Sequence, residues 1–371
     1  MVLAARRSAV DAQVERLEVS AFTIPTDEPE SDGTLEWEST TIVVVLAHAD
    51  GRIGLGYTYA DVAASCLIES RLAGVVEGRD AMAVRGAWLA AGAELRNAGR
   101  PGLGFMALSA VDLALWDLKA RLLDVPLVDL LDRAHEAVPL YGSGGFTSYS
   151  PERVAGQLAG WVEQGIPRVK MKVGLDPDRD AERVGAARRA IGDSALYVDA
   201  NGAYDRKQAL LWAERFAQEW GVTWFEEPVS SADLEGLRLL RDRAPAGLDV
   251  AAGEYGFVLR DFANLLEAGA VDCLQADVTR CGGITGLLQV AALCDAHSID
   301  LSGHCAPQVS AHVLACVPRL RHLELFHDHD RVERLLFEGC LDPDAGCLRP
   351  DRSRPGHGLT LKRSDAERYA A

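Results

Sequence analysis

The fold is decided by short apolar runs such as PRVKMKVG at residues 167–174, which is typical of a buried β-strand. Side chains two residues apart on a strand leave it on the same side. Lys170 and Lys172 therefore project together from one face of this strand. Two ammonium groups that close repel each other and are costly to bury. The run therefore predicts acidic groups opposite the lysine pair.

Runs of this kind recur eight times, and a helical stretch follows each of them. They begin at residues 138, 168, 195, 222, 249, 273, 299 and 320. Steps of roughly 22–30 residues are typical of a (β/α) barrel. An open doubly wound sheet is the alternative, but it more often carries a glycine-rich phosphate loop, and no G-x-G-x-x-G follows the first run. We therefore expect an α/β protein whose modified TIM barrel occupies residues 136–334.

The segment before the barrel begins with β-structure. Residues 12–24 and 40–48 predict antiparallel strands, and Asp50-Gly51 predicts the turn that leads into the next strand. Residues 26–39, between the first two strands, are polar and contain Pro and Gly. We expect this connection to be an exposed, mobile loop.

Helices follow in the same segment. Residues 61–95 are rich in alanine, and residues 106–131 predict a long apolar helix that ends before a proline. These elements predict an α+β capping domain over residues 1–135. The tail, residues 335–371, has no further β/α repeat, so we expect it to pack back on this domain and complete it.

The overall charge limits the kinds of partner. The chain has 371 residues, of which 48% are apolar and 25% charged, and its formal net charge is -17. It has no basic stripe, which argues against nucleic acid or an anionic membrane as a partner. An acidic protein that binds an acidic substrate needs local positive charge, from lysines or from a metal ion.

Cysteine usage and apolar runs indicate the compartment. The eight cysteines include no C-x-x-C pair, which is typical of reduced thiols in a cytoplasmic protein. The opening MVLAARRSAV has no apolar signal core after its arginines, so we expect no secretory signal. No stretch approaches ~18 consecutive apolar residues, so we expect no membrane span.

Polar residues fall at one place in each β/α unit, the carboxyl end of the strand. They are Lys170, Lys172, Asp199, Asn201, Glu226, Glu227, Glu254, Asp277, His304 and Glu324. In a barrel these ends open at a single face, where active sites lie. The acids among them are the groups expected opposite the lysine pair, where they would compensate its charge.

Three of these acids predict a metal site. Asp199, Glu226 and Glu254 end successive strands, and three hard oxygen donors at one point suit Mg²⁺, or Mn²⁺ in its place. The metal would turn a repulsive carboxylate cluster into a stable one. The alternative is that each acid caps the helix after it. Glu227 is expected to point to the other face of its strand, away from this site.

Asp277 and His304 lie on the sixth and seventh strands, which are neighbours in a barrel. A carboxylate that fixes a histidine tautomer forms a common acid/base unit. Alone, His304 would more often be a helix cap or a solvated loop residue.

Lys172 and His304 are expected on opposite sides of the barrel axis, where two bases would flank a substrate held at the centre. This layout suits removal of the proton next to a carboxylate, which gives an enediolate. Glu324 could donate to that enediolate if it were protonated. Lys170 should lower the proton affinity of Lys172, leaving part of it as free amine. The alternative is that both lysines only form structural ion pairs.

The motif set resembles the enolase superfamily, and within it the mandelate racemase-like subgroup of the mandelate racemase/muconate lactonizing enzyme family. The motifs are K-x-K, Asp-x-Asn, E-E-P, G-E, the segments ADVTRCGGITG and SGHCAPQVSAH, and Glu324. The resemblance spans nearly the whole chain and includes SAVDLALWDLKARLLDVPLVDLL, which is similar to the helix that enters the family's barrel. Asp277 with His304 argues against the muconate-lactonizing branch.

The resemblance implies a capping domain from both termini over the barrel and Mg²⁺ on the three acids. It also implies Lys172 and His304 as acid/base residues, with Asp277 orienting His304. Lys170 and Asn201 would contact the substrate, and Glu324 the enediolate. A soluble, symmetric homo-oligomer is expected by the same analogy.

Three functions remain open from the sequence. Dehydration of a sugar acid, an aldonate or aldarate, to a 2-keto-3-deoxy acid is the commoner activity by family analogy. Racemisation, epimerisation or lactone cycloisomerisation is the second, and a non-catalytic binding protein is the third. The loop at residues 26–39, with Glu36 and Trp37, would close over the mouth and select the substrate, or would be solvated and uninvolved.

Overall fold

The computed structural model describes residues 12–371. The opening MVLAARRSAV, for which we expect no secretory signal, lies outside the described residues. Within residues 12–371, none of the helices combines the length and the apolar character that crossing a membrane requires.

The chain begins with a three-stranded antiparallel sheet. Its strands are β1 (Arg16–Ser31), β2 (Glu36–Ala49) and β3 (Arg52–Tyr59). The predicted turn between β2 and β3 is confirmed, because Asp50 and Gly51 both have the positive φ that a two-residue hairpin turn of this kind needs. The first two strands extend further toward each other than predicted, so that only residues 32–35 separate them.

Five helices follow the sheet. They are α1 (Ala63–Leu67), α2 (Ala73–Val76), α3 (Val84–Glu94), α4 (Leu103–Leu123) and α5 (Leu127–Leu130), with a π-helical turn over Ile68–Leu72. The long apolar helix is therefore confirmed. It lies directly on β3, where a Cβ at Gly54 or Gly56 would clash with its backbone. Two glycines thus allow the sheet and the helix to approach closely.

Eight parallel strands of the described chain close into a barrel, which confirms the eight predicted runs. They are β4 (Val138–Gly144), β5 (Arg168–Lys172), β6 (Ala195–Asp199), β7 (Val222–Glu226), β8 (Asp249–Ala252), β9 (Cys273–Ala276), β10 (Asp300–Gly303) and β11 (Leu320–Phe326). Each strand pairs with the next, and β11 pairs with β4 to close the sheet. The fold is a modified TIM barrel with a cap.

A helix follows each barrel strand. The helices are α6 (Pro151–Glu163), α7 (Pro177–Ile191), α8 (Arg206–Trp220), α9 (Leu234–Arg243), α10 (Leu259–Glu267), α11 (Gly283–His297), α12 (Pro307–Leu314) and α13 (His327–Leu336). Their starts follow the sequence closely. The Asp205 side chain, for example, accepts from two backbone N–H groups at the start of α8.

The tail returns to the first sheet, as predicted. Its elements are β12 (Phe337–Glu338), β13 (Cys347–Leu348), β14 (Thr360–Leu361) and α14 (Arg363–Ala366). His357 Nε2 lies 2.8 Å from the carbonyl oxygen of Leu55, and Ala371 N donates to the carbonyl oxygen of Ala21. The β13 strand also pairs with the start of β4. The residue boundaries predicted for the two domains stay predictions.

The inside of the barrel has two layers, because alternate strand residues face its axis. The lower layer, which we call the floor, is neutral, largely aromatic and buried, and consists of Tyr141, Tyr197, Trp224, Cys273 and His322. The upper layer, at the carboxyl ends of the strands, holds ionisable groups. We call it the mouth.

Candidate active site

Three carboxylates meet in the mouth. Asp199 and Glu226 are opposite each other on neighbouring strands, and Glu254 follows the end of β8. All three are buried, and one oxygen of each lies within 4.8 Å of the others. Gly253, with φ of 135°, makes the close approach of this last segment possible, because a Cβ there would clash with the carbonyl of Gln275. The arrangement offers the oxygen ligands that hard divalent cations prefer.

The lysine pair faces these carboxylates. Lys170 Nζ lies 2.8 Å from Glu324 Oε1 and 3.3 Å from Asp199 Oδ2, and it also donates to Glu226. Lys172 Nζ lies 2.6 Å from Asp199 Oδ2. Both lysines are buried. Asp199, Glu226 and Glu324, which they contact, are the acidic groups that were predicted opposite the pair.

The side chains around Lys172 do not by themselves favour the partly uncharged form that the sequence predicts. Burial lowers the pKa of Lys172, and the nearby Lys170 also lowers it, as expected. Asp199, however, lies so close that it outweighs both and raises the pKa of Lys172 above its usual value. With these side-chain partners alone, the ammonium form of Lys172 is favoured and is held by Asp199.

The predicted Asp–His dyad lies on the other side of the mouth. His304 Nδ1 is 2.8 Å from Asp277 Oδ2, while Asp277 Oδ1 accepts from the backbone and hydroxyl of Thr279. These bonds fix the imidazole and leave Nε2 facing the mouth, 3.1 Å from Glu254 Oε2 and 3.6 Å from Glu324 Oε2. Burial lowers the pKa of His304, but the acidic groups around it raise it well above its ordinary value.

Glu324 could donate to an enediolate only if it were protonated, and its surroundings favour the ionised form. Burial raises the pKa of Glu324, but the positive charge of Lys170 outweighs this and holds the pKa below its usual range. Glu324 is thus an ionised partner of Lys170, with Oε2 accepting from Cys305 N at 3.3 Å.

Glu227 is a further correction. It follows the end of β7 with a φ of 39°, so the alternation of strand faces no longer applies to it. Its side chain is buried, and burial together with the carboxylate of Glu254 raises its pKa well above the usual value. Glu227 therefore lies beside the carboxylate cluster rather than away from it.

Asn201 lies at the edge of the same group of acids. Its φ is 45°, and its backbone N–H donates to Asp199 Oδ1 at 2.9 Å. Its side-chain oxygen is buried and has no hydrogen-bond partner among residues 12–371.

The segment predicted as a mobile loop, residues 26–39, is instead the tip of the β1–β2 hairpin. Ser31 Oγ lies 2.6 Å from Thr147 Oγ1 beside the barrel, and both side chains are buried. Trp37 is half-buried, donates to Glu30 Oε2 and packs edge-on against Phe146. Glu36 is exposed. The polar residues of the tip form hydrogen bonds that hold it in place. Composition alone does not distinguish such a tip from a mobile loop.

One residue in the mouth was missed by the sequence reasoning. Cys305, the neighbour of His304, is buried with its Sγ 3.3 Å from His304 Nε2 and 3.4 Å from Glu324 Oε2. All eight cysteines are free thiols, as predicted. The only available signal was the sequence position of Cys305 directly after the dyad histidine.

A closed parallel barrel beneath an α+β cap, with a buried carboxylate cluster at the strand ends, is the architecture of a barrel enzyme. Two family models match the chain, "Enolase C-terminal domain-like" over residues 153–366 and "Mandelate racemase / muconate lactonizing enzyme, N-terminal domain" over residues 26–132. The chain therefore belongs to the enolase superfamily, in the mandelate racemase/muconate lactonizing enzyme family, and the resemblance seen in the sequence is confirmed.

Individual relatives are similar over almost the whole chain. A mandelate racemase/muconate lactonizing enzyme-like protein from Rubrobacter xylanophilus is 64% identical, with a TM-score of 0.95 over 97% of this chain and 100% of that one. The 3,6-anhydro-alpha-L-galactonate cycloisomerase of Streptomyces coelicolor is 33% identical over 94% of this chain and 97% of its own length. The L-talarate/galactarate dehydratase of Salmonella typhimurium, liganded with Mg and L-lyxarohydroxamate, is 28% identical, with a TM-score of 0.89 over 100% of this chain and 96% of its own.

Proposed function

We propose that this protein is a Mg²⁺-dependent enzyme that removes the proton next to the carboxylate of a sugar acid and expels a β-hydroxyl, giving a 2-keto-3-deoxy acid. One observation carries the proposal. Three buried carboxylates lie between Lys172 on one side and the His304–Asp277 dyad on the other. A substrate bound there would have a proton-transfer group on either face.

Asp199, Glu226 and Glu254 fit a divalent cation by the chemistry of their donors. They are hard oxygen ligands, mutually close and removed from water. Burial and the charge of Asp199 raise the pKa of Glu226 to about 8, so the two lysines do not fully compensate the cluster. A bound Mg²⁺ would supply the positive charge that stabilises negative charge developing on the substrate carboxylate. The magnesium in the structure of the dehydratase relative supports the same assignment.

The chain's own groups would carry the proton transfers. A cation held by Asp199 and Glu254 would weaken the pull of these acids on Lys172 and His304, so that one of the two bases could be uncharged. That base would accept the proton from the α-carbon, as the C–H bond breaks. His304, oriented by Asp277, would give a proton to the leaving β-hydroxyl, so that the C–O bond breaks and water departs. The resulting enol would tautomerise to the keto acid. Lys170 and Asn201 would bind the substrate, Glu324 would hold Lys170 in place, and Trp37 would line the entrance from the hairpin tip.

The second candidate is a cycloisomerase or racemase that shares the first proton removal. The similarity to a cycloisomerase at 33% identity over 94% of the chain favours keeping it. The two reactions differ in outcome, because dehydration produces a keto acid whereas the second class releases no water.

The test is a panel of aldonic acids, aldaric acids and sugar-acid lactones incubated with the protein and Mg²⁺. We expect 2-keto acid from at least one acid, loss of turnover after chelation, and recovery when Mg²⁺ is returned. In ²H₂O, the variants Lys172→Ala and His304→Asn identify the residue that removes the α-proton. Only the variant that lacks this base should fail to exchange deuterium at the α-carbon. Turnover that survives exhaustive chelation would refute the metal-dependent reaction. Lactone conversion without keto acid would favour the second candidate.

A further inference from the structure

A second group of possible metal ligands lies beside the three carboxylates. His304 Nε2, Cys305 Sγ and Glu324 Oε2 are all buried and lie within 4.8 Å of one another. The three separations are 3.3 Å between nitrogen and sulfur, 3.4 Å between sulfur and oxygen, and 3.6 Å between nitrogen and oxygen. Among residues 12–371 it is one of two such groups, and the one that contains sulfur.

Each side chain presents a donor atom while its other atoms are held elsewhere. Asp277 binds His304 Nδ1, and a carboxylate behind a ligating histidine is the usual arrangement at zinc sites. Nε2 faces Cys305 Sγ and also Glu254 Oε2 at 3.1 Å, a contact that Glu254 would give up when it binds the first cation. Lys170 binds Glu324 Oε1 and leaves Oε2 toward the cysteine. The cysteine is held by Ser310 Oγ, which donates to its carbonyl oxygen at 2.8 Å.

The triangle has the size of a tetrahedral zinc site. Zinc binds nitrogen at about 2.0–2.1 Å, thiolate sulfur at about 2.3 Å and carboxylate oxygen at about 2.0–2.2 Å. Tetrahedral angles then place nitrogen and oxygen about 3.3–3.5 Å apart and sulfur about 3.5–3.7 Å from each of them. The observed separations of 3.3 Å for nitrogen and sulfur, 3.4 Å for sulfur and oxygen and 3.6 Å for nitrogen and oxygen differ from these values by about 0.1–0.3 Å, so small side-chain movements would suffice. The fourth position would remain open to water.

We propose that His304, Cys305 and Glu324 form a binding site for Zn²⁺ or another thiophilic divalent cation, distinct from the three-carboxylate site. Sulfur and imidazole favour zinc over Mg²⁺, whereas three carboxylates favour the harder cation. Binding would release the thiol proton and any proton on His304 Nε2 to solvent. Because Nε2 would then be coordinated, the ion would inhibit reversibly, a consequence that rests on the proposed function.

The binding test uses Co²⁺ as a probe, because only a cysteine-ligated cobalt gives an intense sulfur-to-metal charge-transfer band. The whole protein, with its thiols reduced, is first saturated with Mg²⁺ and then titrated with Co²⁺. We expect a band that grows to one equivalent and is removed by one equivalent of Zn²⁺. Cys305→Ser and Cys305→Ala should both abolish it, and one of them suffices if the other does not fold.

Cys281→Ser is the matched control, since Cys281 is a buried thiol that belongs to neither ligand group. It should keep the band at wild-type intensity. Absence of the band in the wild-type protein, or its persistence in folded Cys305 variants, would overturn the proposal. This test needs no substrate, so it can fail or succeed independently of the proposed reaction.

The inhibition test uses whichever acid the panel identifies, at saturating Mg²⁺. We expect Zn²⁺ to inhibit the wild-type protein, a chelator to reverse the inhibition, and Cys305→Ser to need at least about tenfold more Zn²⁺ relative to its own zinc-free rate. Equal sensitivity of Cys305→Ser and wild type would mean that Zn²⁺ acts at the three carboxylates, and would overturn inhibition through His304.

Discussion

The mouth and the floor of the barrel are built by the same strands, yet they differ completely in chemistry. Asp199 lies two residues beyond Tyr197, and Glu226 lies two residues beyond Trp224, so each pair faces the barrel axis. In the floor, Tyr197 and Trp224 stack with ring centroids 5.4 Å apart. One step higher, the side chains are paired charges. A single strand therefore supplies packing at one level and ionisable groups at the next.

The difference shows where charge can be buried. The floor contains one titratable imidazole, His322, whose pKa burial holds well below its usual value, so the ring is neutral. In the mouth, burial also lowers the pKa of His304, but surrounding acids reverse the direction. Two buried histidines on neighbouring strands thus differ in charge because only one has carboxylate partners. The floor should govern stability and the mouth the reaction.

The sharpest way to break this comparison is to replace each histidine. We expect His304→Asn to lower kcat by about 10²–10⁴-fold because its proton-transfer group is lost, while the midpoint of thermal unfolding changes little. His322→Asn should do the opposite, with reduced stability and nearly wild-type kcat. Steady-state kinetics and thermal unfolding with Mg²⁺ measure both. Equal losses of activity in the two variants would contradict the division.

The next largest effect is expected from the floor. Trp224→Ala should lower the free energy of unfolding by about 3–5 kcal/mol, because a fully buried indole is replaced by a cavity. Its Nε1 also donates to Glu226 Oε2 at 2.9 Å. Trp224→Phe is the matched control, since it keeps an aromatic ring and loses this hydrogen bond. Urea unfolding should rank wild type, Trp224→Phe and Trp224→Ala in falling stability.

The barrel was predictable because its signal repeats. Eight apolar runs, each followed by a helix, are confirmed as β4–β11, and the polar residues at their ends are brought to one mouth. One strand end would have been ambiguous, since an acid there can equally cap a helix. The repetition around a closed barrel is what brings these acids together in space.

The predictions that the structure does not bear out were made from short stretches of sequence, without knowledge of distant contacts. The hairpin tip at residues 26–39 has the composition of a loop, but Glu30 and Ser31 are buried by contacts with residues distant in sequence. The face of Glu227 was misjudged because a left-handed residue after a strand breaks the two-residue alternation. The charge states of Lys172 and Glu324 depend on distances between strands, which no single run of sequence contains.

The hairpin tip extends the comparison of buried groups with and without charged partners. It holds a buried acid, Glu30, that has no lysine beside it. Burial and the charge of Asp328 raise the pKa of Glu30 to about 8, from 4.5 in an exposed chain. The folded state therefore binds more protons than the unfolded state between these pH values. The contribution to stability is full below about pH 4.5 and is lost as the pH rises toward 8.

Glu30→Gln should remove this dependence. We expect the variant to exceed wild type in free energy of unfolding by about 1–2 kcal/mol at pH 8, with a difference that shrinks toward pH 5. Urea unfolding at both pH values measures it. Glu36→Gln, at an exposed position of the same hairpin, is the control and should show no such trend. A variant less stable than wild type at pH 8 would show that the carboxylate is needed in its ionised form.

The smallest effect is expected where the floor meets the mouth. The hydroxyl of Tyr141 is buried and has no hydrogen-bond partner among residues 12–371, while Lys170 Nζ lies 5.4 Å from the ring centroid. Tyr141→Phe removes an unsatisfied polar group and keeps the ring, so the free energy of unfolding should stay within about 1 kcal/mol of wild type or rise.

The comparison variant is in the capping sheet, where the Tyr57 hydroxyl donates to Glu333 at 2.5 Å. Tyr57→Phe should lower the free energy of unfolding by about 1–3 kcal/mol because the buried acid loses its donor. If urea unfolding gives equal losses for the two variants, the Tyr141 hydroxyl has a partner in solution and the floor is less dry than its neutral side chains imply.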